Sequence, residues 1–141
     1  MNETEDNIFI DTNLFVYAKL EIPDEAKHAK AKFFLSNLTG HIIISTQVLN
    51  ELYSVFAKHN ISDQIIQETI TSILDEIILE TITLKTIHIA WAVRNKYHYS
   101  YYDSLIIASA LEAGCKVLYS EDLQHNQTID GKLKIVDPFL N

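Results

Sequence analysis

The sequence predicts an α/β fold: a three-layer α/β/α sandwich around a central, mostly parallel sheet of about five strands. Two observations carry that prediction. Short β-branched and apolar runs such as Ile8-Phe9-Ile10 and Ile42-Ile43-Ile44 recur between longer segments whose apolar residues follow helical spacing. Alternation of that kind is how a parallel sheet with helices on both faces is written in sequence. The runs are also apolar throughout, which suits strands buried on both faces rather than one. At 141 residues the chain is expected to be a single domain spanning 1–141.

Taken in order, Ile8 to Ile10 form a first strand that ends on Asp11. Residues 12–19 follow as a short helix, apolar at Leu14, Phe15, Tyr17 and Ala18. Ile22-Pro23-Asp24 interrupts, because proline biases its predecessor away from helical angles and Asp is a good N-cap. Over 25–38 the set Ala26, Ala29, Phe33, Phe34 and Leu38 has helical spacing, and Lys27, Lys30 and Lys32 fall on the other side. Those lysines read as a solvated face, with a phosphate contact as the alternative. Thr39-Gly40 is expected to end this helix, glycine being the favoured residue just past a helix.

Residues 41–44 are the second strand, and Ser45 or Thr46 caps a helix that runs to about residue 59. Val48, Leu49, Leu52, Val55 and Phe56 form its apolar stripe, and Glu51 lies about 60° from Val48, at the stripe's edge. Ser62 opens the next helix, with Ile65, Ile66, Thr69, Ile70, Ile73 and Leu74 expected to face inward. Residues 77–82 read as a third strand, and Thr83 caps a helix over 84–96 carrying Ile87, Ala90, Trp91 and Arg94. Ser100 opens a helix that is apolar or small almost all round from 105 to 111, the mark of a central buried helix, and Gly114 closes it. Residues 116–119 are a fourth strand leading into Ser120-Glu121-Asp122, and 133–136 a fifth, stopped by Asp137-Pro138.

The formal charge is −8, from 11 Lys and Arg against 19 Asp and Glu. A nucleic-acid binder usually carries a basic balance. That objection weakens if several acids share one site and bound cations neutralise them there. A single Cys115 excludes an internal disulfide and a cysteine-based zinc site, and suits a reducing compartment. The histidines lack the paired spacing of a His-based zinc site. No apolar run approaches the roughly 20 residues of a membrane span, and the acidic start of the chain is unlike a secretory signal. A cytoplasmic protein is expected.

Four acids stand out by position. Asp11 and Asp122 follow strands, Asp103 lies in the first turn of the most buried helix, and Glu51 sits part-way along another. In an open α/β sheet, strand C-termini and the N-termini of the following helices share one edge, where ligands bind. Each acid also has an ordinary reading. Asp11 suits an N-cap, Asp103 the capping-box partner of Ser100, Asp122 an Asx-turn, and Glu51 a solvated edge. Together they repel one another, and divalent cations that prefer oxygen ligands would relieve the repulsion.

The ordered set Ile8-Phe9-Ile10-Asp11-Thr12-Asn13, Gln47 to Leu52 around Glu51, Ser100 to Ala110 around Asp103, and Leu118 to Leu123 around Asp122 resembles a PIN domain. Within that family it looks most like the VapC-type toxins of toxin–antitoxin pairs, and the likeness covers nearly the whole chain. The resemblance implies a metal-dependent ribonuclease in which Asp11, Glu51, Asp103 and Asp122 bind Mg²⁺ or Mn²⁺, supported by Thr12, Asn13 and Ser120. It also implies a homodimer and a cognate antitoxin that lays a peptide across the groove. One departure is Asn126, where relatives often carry glycine. Lys27, Lys30, Lys85, Arg94, Lys96 and Lys116 are candidate RNA contacts, and the histidines, His125 included, read as background. The alternative is a non-catalytic PIN-fold scaffold binding RNA or protein; such a protein is expected to have lost one or more of the acids, and all four are present. A phosphatase with an Asp nucleophile after the first strand is disfavoured, since position 13 is Asn.

Overall fold

A computed structural model describes residues 6–21 and 24–140. The Ile22-Pro23 break and the first five residues lie outside that range. Among the described residues six strands and six helices follow in the order β1 (Asn7–Ile10), α1 (Thr12–Lys19), α2 (Glu25–Ser36), β2 (His41–Ser45), α3 (Thr46–Lys58), α4 (Asp63–Leu74), β3 (Ile78–Glu80), α5 (Leu84–Tyr97), α6 (Tyr101–Glu112), β4 (Val117–Tyr119), β5 (Thr128–Ile129) and β6 (Leu133–Val136).

The sheet order is β3-β2-β1-β4-β6-β5, parallel except where β5 runs against β6. From β1 the chain steps outward to β2 and β3, then returns to β4 on the far side of β1. Right-handed crossovers therefore put α1 to α4 on one face and α5 and α6 on the other. The packing agrees: α1 contacts both α2 and α3, α3 contacts α4, and α5 packs on α6. The strand order reverses between β1 and β4, which makes their carboxyl ends the crevice where such sheets bind ligands.

Phe9, Ile10, Ile44, Leu118 and Ile135 are fully buried in the strands, with Leu52, Phe56 and Ile107 closing over them from the helices. Caps fix where the helices begin. Asp24, Ser45, Ser62, Thr83 and Ser100 each accept a backbone N–H from the first turn, which settles the choice between Ser45 and Thr46 for α3. Asn126 has φ 68°, a left-handed position that glycine fills easily and that Asn tolerates.

Several expectations are corrected. The sheet has six strands rather than about five, because β5 pairs with β6 through a tight turn at Asp130 and Gly131, both at positive φ. Asp-Gly is a hairpin signal, and two residues of strand are too few to show periodicity. Helix α2 stops at Ser36, where the Asn37 side chain donates to the Phe33 carbonyl at 2.8 Å, so Gly40 is not its terminator. Its buried residue is Ala31, while Ala26, Ala29 and Phe33 face outward, Phe33 being 72% exposed. Ile65 of α4, expected inward, is exposed as well. In both helices the apolar residues cover more than one face, so spacing alone does not say which face meets the sheet.

Candidate active site

The crevice at the switch point collects the four acids. Asp11 stands one residue past β1, Asp122 three residues past β4, Glu51 in the second turn of α3, and Asp103 in the first turn of α6. All four line one cleft of about 290 Å³. Tertiary structure thus brings together every acid singled out from position.

Asp11 is the most constrained, at 7% exposure. It caps α1 by accepting from Thr12 N at 2.7 Å, and Ser120 Oγ donates to its other oxygen at 2.8 Å. The Ser120 hydroxyl in turn accepts from Asp122 N at 3.1 Å, so the turn after β4 is held by Ser120. Capping and a place in the cleft are compatible for Asp11: Thr12 N and the Ser120 hydroxyl occupy only part of its acceptor capacity. Burial pushes its carboxyl up to about 6, against the pull of Ser120 and Thr12, and the negative charges of Asp122 and Glu51 add to the rise.

Glu51 is oriented from two sides. Thr12 Oγ1 donates to Oε1 at 2.7 Å and Gln47 Nε2 to Oε2 at 3.2 Å. Asp122 accepts from Asn13 Nδ2 at 2.9 Å, and its pKa is raised, first by burial and then by Glu121, Asp103 and Glu51. Asp103 N donates to Ser100 Oγ at 3.2 Å, and the cap at this helix is one-sided. The reciprocal box occurs on α5 between Thr83 and Thr86, which leaves the Asp103 carboxylate for the cleft. Thr12 bonds to both Asp11 and Glu51, Ser120 to both Asp11 and Asp122, and Asn13 to Asp122.

Three residues of the site escaped sequence reasoning. Glu121 accepts from Tyr17 OH and Lys27 Nζ, both at 2.6 Å, and from Asn13 Nδ2 at 3.4 Å, so it steadies the residue that holds Asp122. Gln47 supports Glu51 from one turn earlier, a spacing visible in the sequence. Lys58, two turns beyond Glu51 on the same helix face, is the one cation lining the cleft among the described residues. Of the lysines and arginine suggested as RNA contacts, only Lys27 is tied into this network; Lys96 pairs with Asp130 and Lys116 with Asp6. His125 Nδ1 accepts from Asp137 N and braces the C-terminal turn.

The donors fit a hard divalent cation. They are all oxygen, Asp11 and Asp122 carry pKa values raised by burial and then by neighbouring carboxylates, and serine, threonine and amide groups fix the direction of Asp11, Glu51 and Asp122. Among the described residues no three or more such side chains stand close enough to form a finished cage. Magnesium keeps several of its waters and takes one or two direct carboxylates, so a spread set suits a hydrated ion.

A family model for the PIN domain matches residues 8–129. Comparison with curated proteins gives no match. Among solved structures the chain is similar to Mycobacterium tuberculosis VapC20, described as a Sarcin-Ricin loop cleaving toxin, at 19% identity and TM-score 0.66, covering 79% of this chain and 86% of that one. It is similar to a chain of a toxin–antitoxin complex from Klebsiella pneumoniae, at 18% identity and TM-score 0.69, covering 94% and 98%. A third similarity is to VapBC2 from Rickettsia felis bound to a DNA fragment from their promoter, at 21% identity and TM-score 0.58, covering 81% and 86%. At these identities the likeness establishes a shared fold.

Proposed function

The chain belongs to the PIN domain family, and from that premise we propose that it is an endoribonuclease dependent on Mg²⁺ or Mn²⁺ that hydrolyses RNA phosphodiester bonds. It acts as the toxin of a toxin–antitoxin pair, inhibiting translation. The observation that carries this reading is the convergence of Asp11, Glu51, Asp103 and Asp122 on one cleft at the switch point of the sheet. A scaffold that only binds gains nothing from keeping four mutually repelling carboxylates there.

In this reading Asp11, Glu51, Asp103 and Asp122 would hold the cation, which would supply Lewis acidity toward the phosphate and activation of water. The chain's own part is positioning and charge. Thr12 N and Ser120 fix Asp11, Thr12 Oγ1 and Gln47 fix Glu51, and Asn13 fixes Asp122. Lys58 supplies positive charge to the phosphate at the cleft wall, and Lys27, beside the site on Glu121, a second contact along the strand. No histidine is required as a base.

The similarity to toxin–antitoxin complexes supports an antitoxin partner, and in this proposal its peptide crosses the cleft. A homodimer of single-domain chains over residues 1–141 in the cytoplasm completes the proposal; a lone, buried and unpaired Cys115 suits that reducing compartment. No helix among the described residues is long and apolar enough to cross a membrane.

The test is cleavage of total RNA and of a labelled oligoribonucleotide with Mg²⁺, with Mn²⁺ and with EDTA, for the wild type and Asp11→Asn. Cleavage that needs a cation and disappears in the variant is expected. Equal cleavage by both proteins would assign the activity to a contaminant and remove this site.

A further inference from the structure

A second cleft, of about 520 Å³, opens beside the acidic one. Glu51 and Ser54 line both, so the two are continuous along α3. Its character is different. Ile82, Leu105 and Tyr102 line it as apolar and aromatic residues, and Gln47 and Asn50 as amides. Its size falls in the range of small-ligand clefts, roughly 300–1,000 Å³.

Tyr102 is 65% exposed, and an edge-to-face contact with Tyr101 at 5.4 Å between centroids braces its ring. Gln47 is a second, independent observation. Its Nε2 protons are committed to Glu51 Oε2 at 3.2 Å and to the Tyr102 carbonyl at 3.0 Å, which fixes the amide orientation. Its Oε1 is buried without a donor, on a residue that is 8% exposed. Buried acceptors are almost always paired, and this one has no partner among the described residues.

A nucleobase answers each of these features. It offers a π-face to Tyr102, an apolar plane to Ile82 and Leu105, and ring or exocyclic N–H groups to Gln47 and Asn50. Resting on the ribonuclease reading, we infer that this cleft binds one unpaired base of the RNA, adjacent to the phosphate held at the four acids.

The test uses the full-length chain carrying Asp11→Asn, with Mg²⁺, and short single-stranded oligoribonucleotides with 2-aminopurine at successive positions. Stacking on an aromatic ring quenches that base. Quenching is expected at one position only. Adding Tyr102→Ala is expected to abolish it and weaken binding by about 5- to 100-fold, and Tyr102→Phe to restore both. Quenching and affinity unchanged by Tyr102→Ala would overturn the inference and leave the cleft to a peptide side chain. The two readings fail separately. RNA cleavage that persists without regard to Tyr102 sinks the base site alone, whereas a wild type that never cleaves RNA with any divalent cation sinks the ribonuclease.

Discussion

Replacing Asp11 by Asn should make the cation-free protein more stable while abolishing its activity. Folding raises this carboxyl from 3.8 to about 6, with burial as the main cause. Between those values the folded chain keeps a proton that the unfolded chain has released. Stability therefore falls as pH rises through that window, and the whole penalty is present above it. At about 1.4 kcal/mol per pKa unit, the ionised carboxylate costs the fold about 3 kcal/mol near pH 7. Asn has nearly the same shape and no charge. Its oxygen keeps the bond from Thr12 N, but its amide meets Ser120 Oγ as a second donor, a rearrangement costing about 1 kcal/mol. The net gain is about 2 kcal/mol, or roughly 4–8 °C in Tm for a chain of this size. The assay is urea and thermal unfolding followed by circular dichroism in EDTA, near pH 7 and again at about pH 4.5, where the advantage should shrink. A variant less stable than wild type near pH 7, or equally advantaged at both pH values, would refute the burial argument.

Two further outcomes follow from the same network. Ser120→Ala removes the largest influence that lowers the Asp11 pKa, so the acid limb of the pH–rate profile should move toward neutral; an unmoved limb would mean that Asp11 does not set it. Glu121→Gln loosens Asn13 and releases Lys27. Cleavage kinetics should show kcat reduced by about 3- to 10-fold, an effect of roughly one hydrogen bond, with stability changed by less than about 1 kcal/mol.

What the sequence determined by itself is the alternation of elements, and with it the sheet edge on which the acids stand. Runs such as Ile42 to Ile44 pack only as buried strands, and polar residues such as Ser62 and Thr83 announce helix starts because a side-chain oxygen there satisfies an otherwise orphaned N–H. Asp11, Asp103 and Asp122 were legible because strand ends and helix starts converge in any open α/β sheet, whereas Glu51, in the second turn of α3, joins them only through the way that helix packs. Other features were decided only when the chain closed up. Whether Phe33 or Ala31 faces the core depends on which side of α2 meets α1, and spacing does not encode that. Glu121 and Asp122 are adjacent acids of equal chemistry, and only the turn held by Ser120 sends one into the cleft and the other toward Lys27. The raised pKa of Asp11 is likewise tertiary: an N-cap aspartate in water is ordinarily ionised, and this one is pushed to about 6 because folding removes its water and brings Glu51 and Asp122 near.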